Sequence, residues 1–261
     1  MLTTAGTFVY AGNGVMTYNL SGGHVKTIIG DSTNSSAERH LVFNITGSFS
    51  CDAFYYGEQN HNNSKKGTMT VNIIDSTAEY AVKDLAVTNK SNNVAAGAPV
   101  NITIKNSRVQ NIRGGTNNAA SYANKSGDIS ICLMEGAVVE NIYAGSIGNY
   151  EGIGNFKVII MDYSAKIGQL VRKGSGGANG AGNLTVALNL PTGQTGYVYS
   201  LDFLKDQIDA LQVISGNVNI TRENSGYIKD LNVGGGAKVY IQTGSSFSGN
   251  YTGAANEDSP L

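Results

Sequence analysis

The sequence predicts an all-β fold, a parallel β-solenoid (β-helix) of about nine rungs of about 28 residues, from three observations. Short alternating apolar runs recur at a nearly constant spacing. A second short motif follows most of them, and glycine and small polar residues fill the intervals.

The runs are Leu41–Ile45 (LVFNI), Met69–Ile73 (MTVNI), Val100–Ile104 (VNITI), Ile129–Leu133 (ISICL), Phe156–Ile160 (FKVII) and Leu184–Leu188 (LTVAL). Their starts are separated by 28, 31, 29, 27 and 28 residues, and weaker copies begin near Met16, Val218 and Ala237. Apolar residues at the first, third and fifth places give the period of two that buries one face of a strand. The second motif is a pair of apolar residues three apart: Val25/Ile28, Cys51/Phe54, Val82/Leu85, Val109/Ile112, Val139/Ile142, Ile167/Leu170 and Ile228/Leu231. Each repeat therefore holds a strand, a corner, a shorter strand and a variable loop. So few apolar residues cannot form a core alone, but stacking like strands on like strands buries them. At about 4.8 Å per rung, nine rungs make a rod about 40 Å long.

Composition agrees with this reading. The 261 residues include 34 Gly, 3 Pro and no Trp, and only 14% are charged, against roughly 25% in an average globular protein. Helical bundles favour Ala, Glu, Lys and Leu, whereas this chain draws its polar bulk from Asn, Ser and Thr. A net charge of -1 with scattered basic residues argues against a nucleic-acid partner, which requires clustered Lys and Arg.

The domain organisation follows from the repeats. Residues 1–15, with Thr7–Tyr10, are expected to cap the first rung, since an open solenoid end invites edge pairing. Residues 16–243 form the solenoid, and 244–261 a polar, flexible C-terminal tail. Ser200–Leu211 (SLDFLKDQIDAL) predicts a short helix: Ser200 can cap it, and Leu201, Leu204, Ile208 and Leu211 share a helical face. The segment Met1–Gly6 lacks the basic region and long apolar run of a secretory signal, and no stretch reaches membrane-spanning length.

Several side chains are chemically suggestive. Asp75, Asn106, Glu135 and Asp162 occupy the seventh place of four successive runs and should stack on one edge. Glu135 and Asp162 would then be neighbours, near the separation of about 5 Å that retaining glycosidases use. The plainer reading is that Asp, Asn and Glu satisfy backbone donors at corners. A second column, Thr27, Ala53, Asp84, Asn111, Asn141, Gln169 and Asp230, predicts an amide ladder whose members bond one another. Among 14 tyrosines, Tyr122, Tyr143, Tyr150 and Tyr163 lie in or beside loops and are candidate ligand-binding residues, for a glycan or a partner protein. His24, His40 and His61 lack compact metal-site spacing, so no metal and no cofactor is expected. Cys51 and Cys132 form no disulfide framework, and Cys132 sits in a strand as a small hydrophobe. The Asn-x-Ser/Thr triplets at Asn44, Asn101, Asn183 and Asn219 read mostly as strand residues. No repeating Thr array suggests an ice-binding face.

The pattern Val109-Gln-Asn-Ile-Arg-Gly-Gly115 and Val139-Glu-Asn-Ile-Tyr-Ala-Gly145 resembles the adhesin-like β-solenoid repeats of bacterial surface proteins. It also resembles phage-fibre shafts and the wider pectate-lyase-like superfold. The resemblance spans about residues 16–243 and rests on motifs generic to solenoids. It implies a single-stranded, right-handed coil in an extracellular, cell-surface or virion setting, and it transfers no catalytic residues.

The expected function is a non-catalytic structural or adhesive module that presents loops, such as 116–127 and 174–182, from a rigid rod. Its partners would be a host-surface glycan or protein, or neighbouring virion or surface subunits, without membrane insertion. A homo-oligomer is compatible with it. The alternative is a polysaccharide-degrading lyase or glycosidase working along the acidic edge with Glu135 and Asp162.

Overall fold

A computed structural model gives the fold and describes residues 14–31, 38–57, 66–89, 99–115, 127–145, 154–172, 182–253 and 256–257. Six successive strand pairs come first. They are β1 (Gly14–Leu20) and β2 (His24–Asp31), β3 (Glu38–Gly47) and β4 (Ser50–Gly57), and β5 (Lys66–Ser76) and β6 (Val82–Asn89). Then follow β7 (Val100–Lys105) and β8 (Arg108–Arg113), β9 (Ile129–Leu133) and β10 (Val138–Tyr143), and β11 (Phe156–Ile160) and β12 (Lys166–Val171). The C-terminal part adds β13 (Leu184–Asn189), β14 (Tyr199–Ser200), β15 (Ile208–Ile220), helix α1 (Arg222–Gly226), β16 (Ile228–Ile241), β17 (Tyr251–Thr252) and β18 (Asn256–Glu257).

Odd-numbered strands up to β15 stack in a large sheet that β16 and β17 continue, with β14 and β18 at its side. Even-numbered strands β2 to β12 stack in a second, six-stranded sheet. All pairings are parallel, so the protein is a parallel β-solenoid. From β2 to β12 the two-sheet coil makes about five turns, fewer than the nine expected from the apolar runs. After β12 no further named strand joins the small sheet among the described residues, which add to it the bridge Leu170–Leu204 while the large sheet continues.

The core is built by like side chains covering like. Ile104 pairs with Leu133, and Leu133 with Ile160, as vertical neighbours. Phe43, Val71, Ile102, Ile131, Val158 and Val186 form the parallel column beside them, all buried. Burying one such side chain stabilises the fold by about 1.5–3 kcal/mol. Aromatic rings thicken the N-terminal end, where Phe43 lies 4.8 Å from Tyr18 in a stack and 4.9 Å from Phe54 edge-on.

The small sheet explains the spacing of three. Val139 and Ile142 are both buried, which a regular strand with alternating side chains forbids. The register between neighbouring small-sheet strands omits positions 26, 52, 83, 110, 140 and 168, the same place within each motif. An irregularity repeated at the same place turns both motif residues inward. Cys51 and Phe54, Val82 and Leu85, and Val109 and Ile112 follow the same rule.

Ser200–Leu211 is not a helix. Tyr199 and Ser200 pair with β15, residues 202–203 turn, and Leu204 makes a parallel bridge to Leu170. Leu170 N donates to Phe203 O at 2.7 Å and Lys205 N donates to Leu170 O at 3.1 Å, so the backbone groups serve the coil. Leu201, Leu204, Ile208 and Leu211 are buried as inward positions of the solenoid. The spacing of three that mimics a helical face is the small-sheet motif once more. The regular helix of the described residues is α1, a single turn whose N-cap Thr221 accepts a 3.1 Å bond from Asn224 N through Oγ1.

The termini also refine the expectation. Residues 1–13 of the N-terminal cap lie outside the described residues, and Gly14 and Val15 already belong to β1. At the other end, Tyr251 and Thr252 pair with Leu231 and Asn232, while Asn256 and Glu257 pair with Tyr240 and Ile241. The segment after residue 244 thus adds strand pairs to the large sheet.

Candidate functional site

The outer face of the small sheet carries the predicted amide column. Thr27, Ala53, Asp84, Asn111, Asn141 and Gln169 stand in register through all six strands. Asn141 Nδ2 donates to Asn111 Oδ1 at 2.9 Å and Gln169 Nε2 donates to Asn141 Oδ1 at 2.7 Å. Asp84 instead accepts from Arg113 Nε at 2.7 Å, in a largely covered ion pair. Asp230 does not join the column, because it pairs with Ala210 in the large sheet. A second ladder that the sequence reading missed runs up the large sheet: Asn72 Nδ2 donates to Asn44 Oδ1 at 2.9 Å and Asn44 Nδ2 to Asn19 Oδ1 at 2.8 Å. The signal was present, since these asparagines fill the fourth place of successive runs.

The acidic edge is a corner. Asp75 and Asn106 adopt left-handed backbone with φ of 51° and 42°, a conformation that Asn and Asp tolerate. Asn106 Nδ2 donates to Asp75 Oδ1 at 2.9 Å, and Asn106 N donates to Glu135 O at 2.8 Å. Asp162 Oδ1 accepts from Ser164 N at 2.8 Å and from Ser164 Oγ at 2.6 Å. Ser164 Oγ in turn accepts from Gly136 N at 2.9 Å. Gly136 has φ of +66°, and a Cβ there would lie 2.4 Å from Asn106 Oδ1. The Glu135 side chain is exposed. These contacts are those of stacked turns, with Asp162 held inside its own turn.

Two of the four candidate tyrosines, Tyr122 and Tyr150, lie outside the described residues. Tyr143 and Tyr163 are far apart in role. The Tyr143 ring lies 4.7 Å from the Arg113 guanidinium carbon, and its hydroxyl oxygen accepts from Gln169 Nε2 at 3.3 Å. It therefore covers the Asp84–Arg113 pair at the top of the amide ladder. Tyr163 OH accepts from Asn217 N at 2.7 Å, and its ring meets Tyr197 at 5.7 Å between centroids.

Around Tyr163 the coil changes shape. Between β13 and β14 the chain makes a longer excursion, and a groove of about 350 Å³ opens between residues 191–196 and the outer faces of β15 and β16. A second depression of about 290 Å³ lies on the other side of the tyrosine pair, lined by Tyr163, Tyr199, Phe203 and Lys166. The Tyr199 hydroxyl donates to Ala165 O at 2.7 Å, and burial pushes its ionisation up.

Connections between strands divide sharply into two kinds. From large-sheet to small-sheet strand the chain uses tight turns, such as residues 48–49 and 106–107. From small-sheet to large-sheet strand it uses long segments, and residues 32–37, 58–65, 90–98, 116–126, 146–153 and 173–181 all fall there, outside the described residues. The loop candidates 116–127 and 174–182 belong to this set. Their anchors stack along one edge of the solenoid. At the last one, Arg172 Nη1 donates to Asp209 Oδ2 at 2.6 Å while Arg172 Nη2 donates to Gly182 O at 3.0 Å.

Other titratable groups are tied into the scaffold. Asp52 meets Lys83 Nζ at 2.9 Å and His24 Nε2 at 3.5 Å, and its hydrogen bond from Lys83 holds its carboxyl below the ordinary range. Tyr80 donates to Glu140, which raises its ionisation, and Arg108 lies 5.2 Å over its ring. His24 and His40 sit on different sheets with separate partners, Ser50 and Thr68, and His61 lies outside the described residues. Among the described residues no group of three or more His, Cys, Asp or Glu is placed to hold a metal ion, and no helix is long and apolar enough to cross a membrane. Comparison with protein-family models, curated proteins and solved structures finds no match to this chain.

Proposed function

We propose that this chain is a non-catalytic structural and adhesive module of a cell surface or virion, which displays a line of loops to a host glycan or protein. One observation carries the reading: six long connections leave the same corner of the coil, while the opposite corner is closed by tight turns. Stacked parallel strands repeat about every 4.8 Å, so neighbouring anchors are held at a spacing that thermal motion hardly alters. The segments are rich in Asn, Ser, Gly and Ala, a composition suited to contact rather than to core. Loops on a rigid scaffold are where binding residues concentrate. Asp162 and Asp75, whose carboxylates are engaged in turns, support a structural role for the acidic edge.

The test replaces residues 116–126 and 146–153 by short Gly-Ser links and compares both proteins on a glycan array and on host cells. The expected result is an unchanged circular dichroism spectrum and melting temperature with loss of surface binding. Equal binding by the shortened chain overturns the proposal. So does release of new reducing ends from acidic polysaccharide by the native chain, if that activity is lost on substituting Glu135 and Asp162 by amides.

A further inference from the structure

We propose that the groove between residues 191–196 and strands β15 and β16 is a binding site for a pyranose sugar that carries a carboxylate. The proposal concerns a different face from the loop edge and does not depend on it.

The groove is prebuilt. Residues 192–197 are all exposed, and an exposed segment of that length ordinarily loses order to conformational entropy. Here Asn217 holds it from below: its Nδ2 donates to Gln194 O at 3.1 Å and to Tyr197 O at 3.0 Å. The Asn217 backbone N–H is itself fixed by Tyr163 OH. Two turns complete the excursion, with Gly193 and Gly196 at φ of +75° and +83°. Ligand therefore meets a surface whose shape is already set, which reduces the ordering free energy lost on binding.

Lining chemistry selects the ligand class. The volume of about 350 Å³ is at the small end of the range of roughly 300–1,000 Å³ for small-molecule sites, enough for one or two sugar rings. Thr192, Gln194 and Thr195 on one wall and Tyr240 on the other present neutral hydroxyl and amide groups, the natural partners of sugar hydroxyls. Among the described residues Lys238 is the single charged residue of the lining, set beside Asn217 by the β15–β16 register. Among the described residues no carboxylate lines the groove. Directly after Gly196 of the lining, Tyr197 is 57% exposed, yet its backbone carbonyl is bonded to Asn217 and its ring leans on Tyr163. An immobilised, exposed aromatic ring offers a flat apolar surface for the C–H face of a pyranose. One aromatic face, several neutral polar groups and one ammonium match a sugar with one negative charge.

The experiment titrates the full-length chain by calorimetry with galacturonate oligomers and sialyllactose, using lactose and inorganic phosphate as controls. The acidic sugars should bind at least tenfold more tightly than lactose, and their affinity should fall with added salt. Lys238→Met should abolish that preference, and Tyr197→Ala should weaken acidic and neutral sugars together by about tenfold, both with wild-type melting temperatures. Equal affinity for lactose, equal competition by phosphate, absence of binding, or full binding by Lys238→Met each overturns the inference. Loss of host-surface binding in the loop-shortened chain with intact sugar titration leaves both proposals standing as separate sites. Loss of the sugar preference in Lys238→Met, with surface binding that survives loop shortening, sinks the loop reading alone.

Discussion

Arg172 and Asp209, 37 positions apart in sequence, share a 2.6 Å hydrogen bond that closes the base of the 173–181 connection. Asp209 Oδ2 also accepts from Leu184 N at 2.8 Å, so one carboxylate ties together the start of β13, the end of β12 and the entry to β15. Both side chains remain about a quarter exposed, which screens the charge attraction. Asp209→Ala should therefore lower stability by about 1–3 kcal/mol, measured by urea denaturation. Asp209→Asn retains an acceptor and should lose less; equal losses would show that the hydrogen bonds contribute little beyond the charge.

Ile131 lies in the middle of the stacked core with no exposed surface. Ile131→Ala should destabilise by about 2–5 kcal/mol, the range for a large residue truncated in a tight core. Its neighbour Ser130 faces outward, and Ser130→Ala should stay within about 0.5 kcal/mol. Similar unfolding midpoints for the two variants would contradict the inward–outward alternation.

Asn141 both donates to Asn111 and accepts from Gln169. Asn141→Ala orphans groups on two neighbouring rungs, with an expected loss of about 1–2 kcal/mol. The double variant Asn141→Ala/Gln169→Ala should lose clearly less than the sum of the singles, because the shared bond is removed once. Strict additivity in the denaturation cycle would show that the ladder bonds are negligible.

Gly216 has φ of +89°, and a Cβ there would lie 2.5 Å from Leu190 Cβ and 2.8 Å from the Tyr163 hydroxyl. Gly216→Ala must strain the backbone by about 1–2 kcal/mol and also push Tyr163 off Asn217. Melting temperature should fall, and tyrosine fluorescence should report the disturbed Tyr163–Tyr197 pair. A variant of native stability and spectrum would remove the case for a fixed groove.

Burial pushes the Cys51 thiol from its ordinary value of 9.0 up to about 12. A raised folded-state value favours the neutral thiol, so its stabilising contribution is complete below pH about 9 and lost as pH rises toward 12. Alkaline melting curves should show this decline, and Cys51→Ala should flatten it relative to its own neutral-pH stability. Cys132, partly exposed on the outer face of the large sheet, should react with iodoacetamide in the native state, and Cys51 only after unfolding. Early labelling of Cys51 would place it outside the core.

The large-sheet strands were legible because a period of two has a single structural meaning. Every apolar residue at the first, third and fifth places of the six runs is buried, and the columns Ile104–Leu133–Ile160 and Asn111–Asn141–Gln169 could be aligned from sequence spacing alone. Spacing of three was ambiguous. In Ser200–Leu211 it matched a helix face, and only the bond between Leu170 and Phe203 shows that the kinked strand uses the same interval. The coil count failed for a related reason: near Val218 and Ala237 the repeat shortens to about 21 residues, seen in the pairing of Val218 with Val239, and the small sheet ends. The groove was illegible, since it needs Asn217 to reach back to Gln194 and Tyr197 across 23 and 20 positions. Of the two described candidate tyrosines, Tyr163 touches the groove wall through Asn217 and Tyr143 does not.

Because each rung is joined to the next at chemically similar positions about 28 residues away, the fold has a natural unit of inheritance. A recombination event that duplicates or drops one whole coil recreates the same apolar and amide junctions on both sides of the splice. A change in length by a whole coil keeps the inward columns continuous, which a fractional insertion does not. The connecting segments, anchored at a single corner, are free to diverge while the shaft that carries them is copied nearly intact.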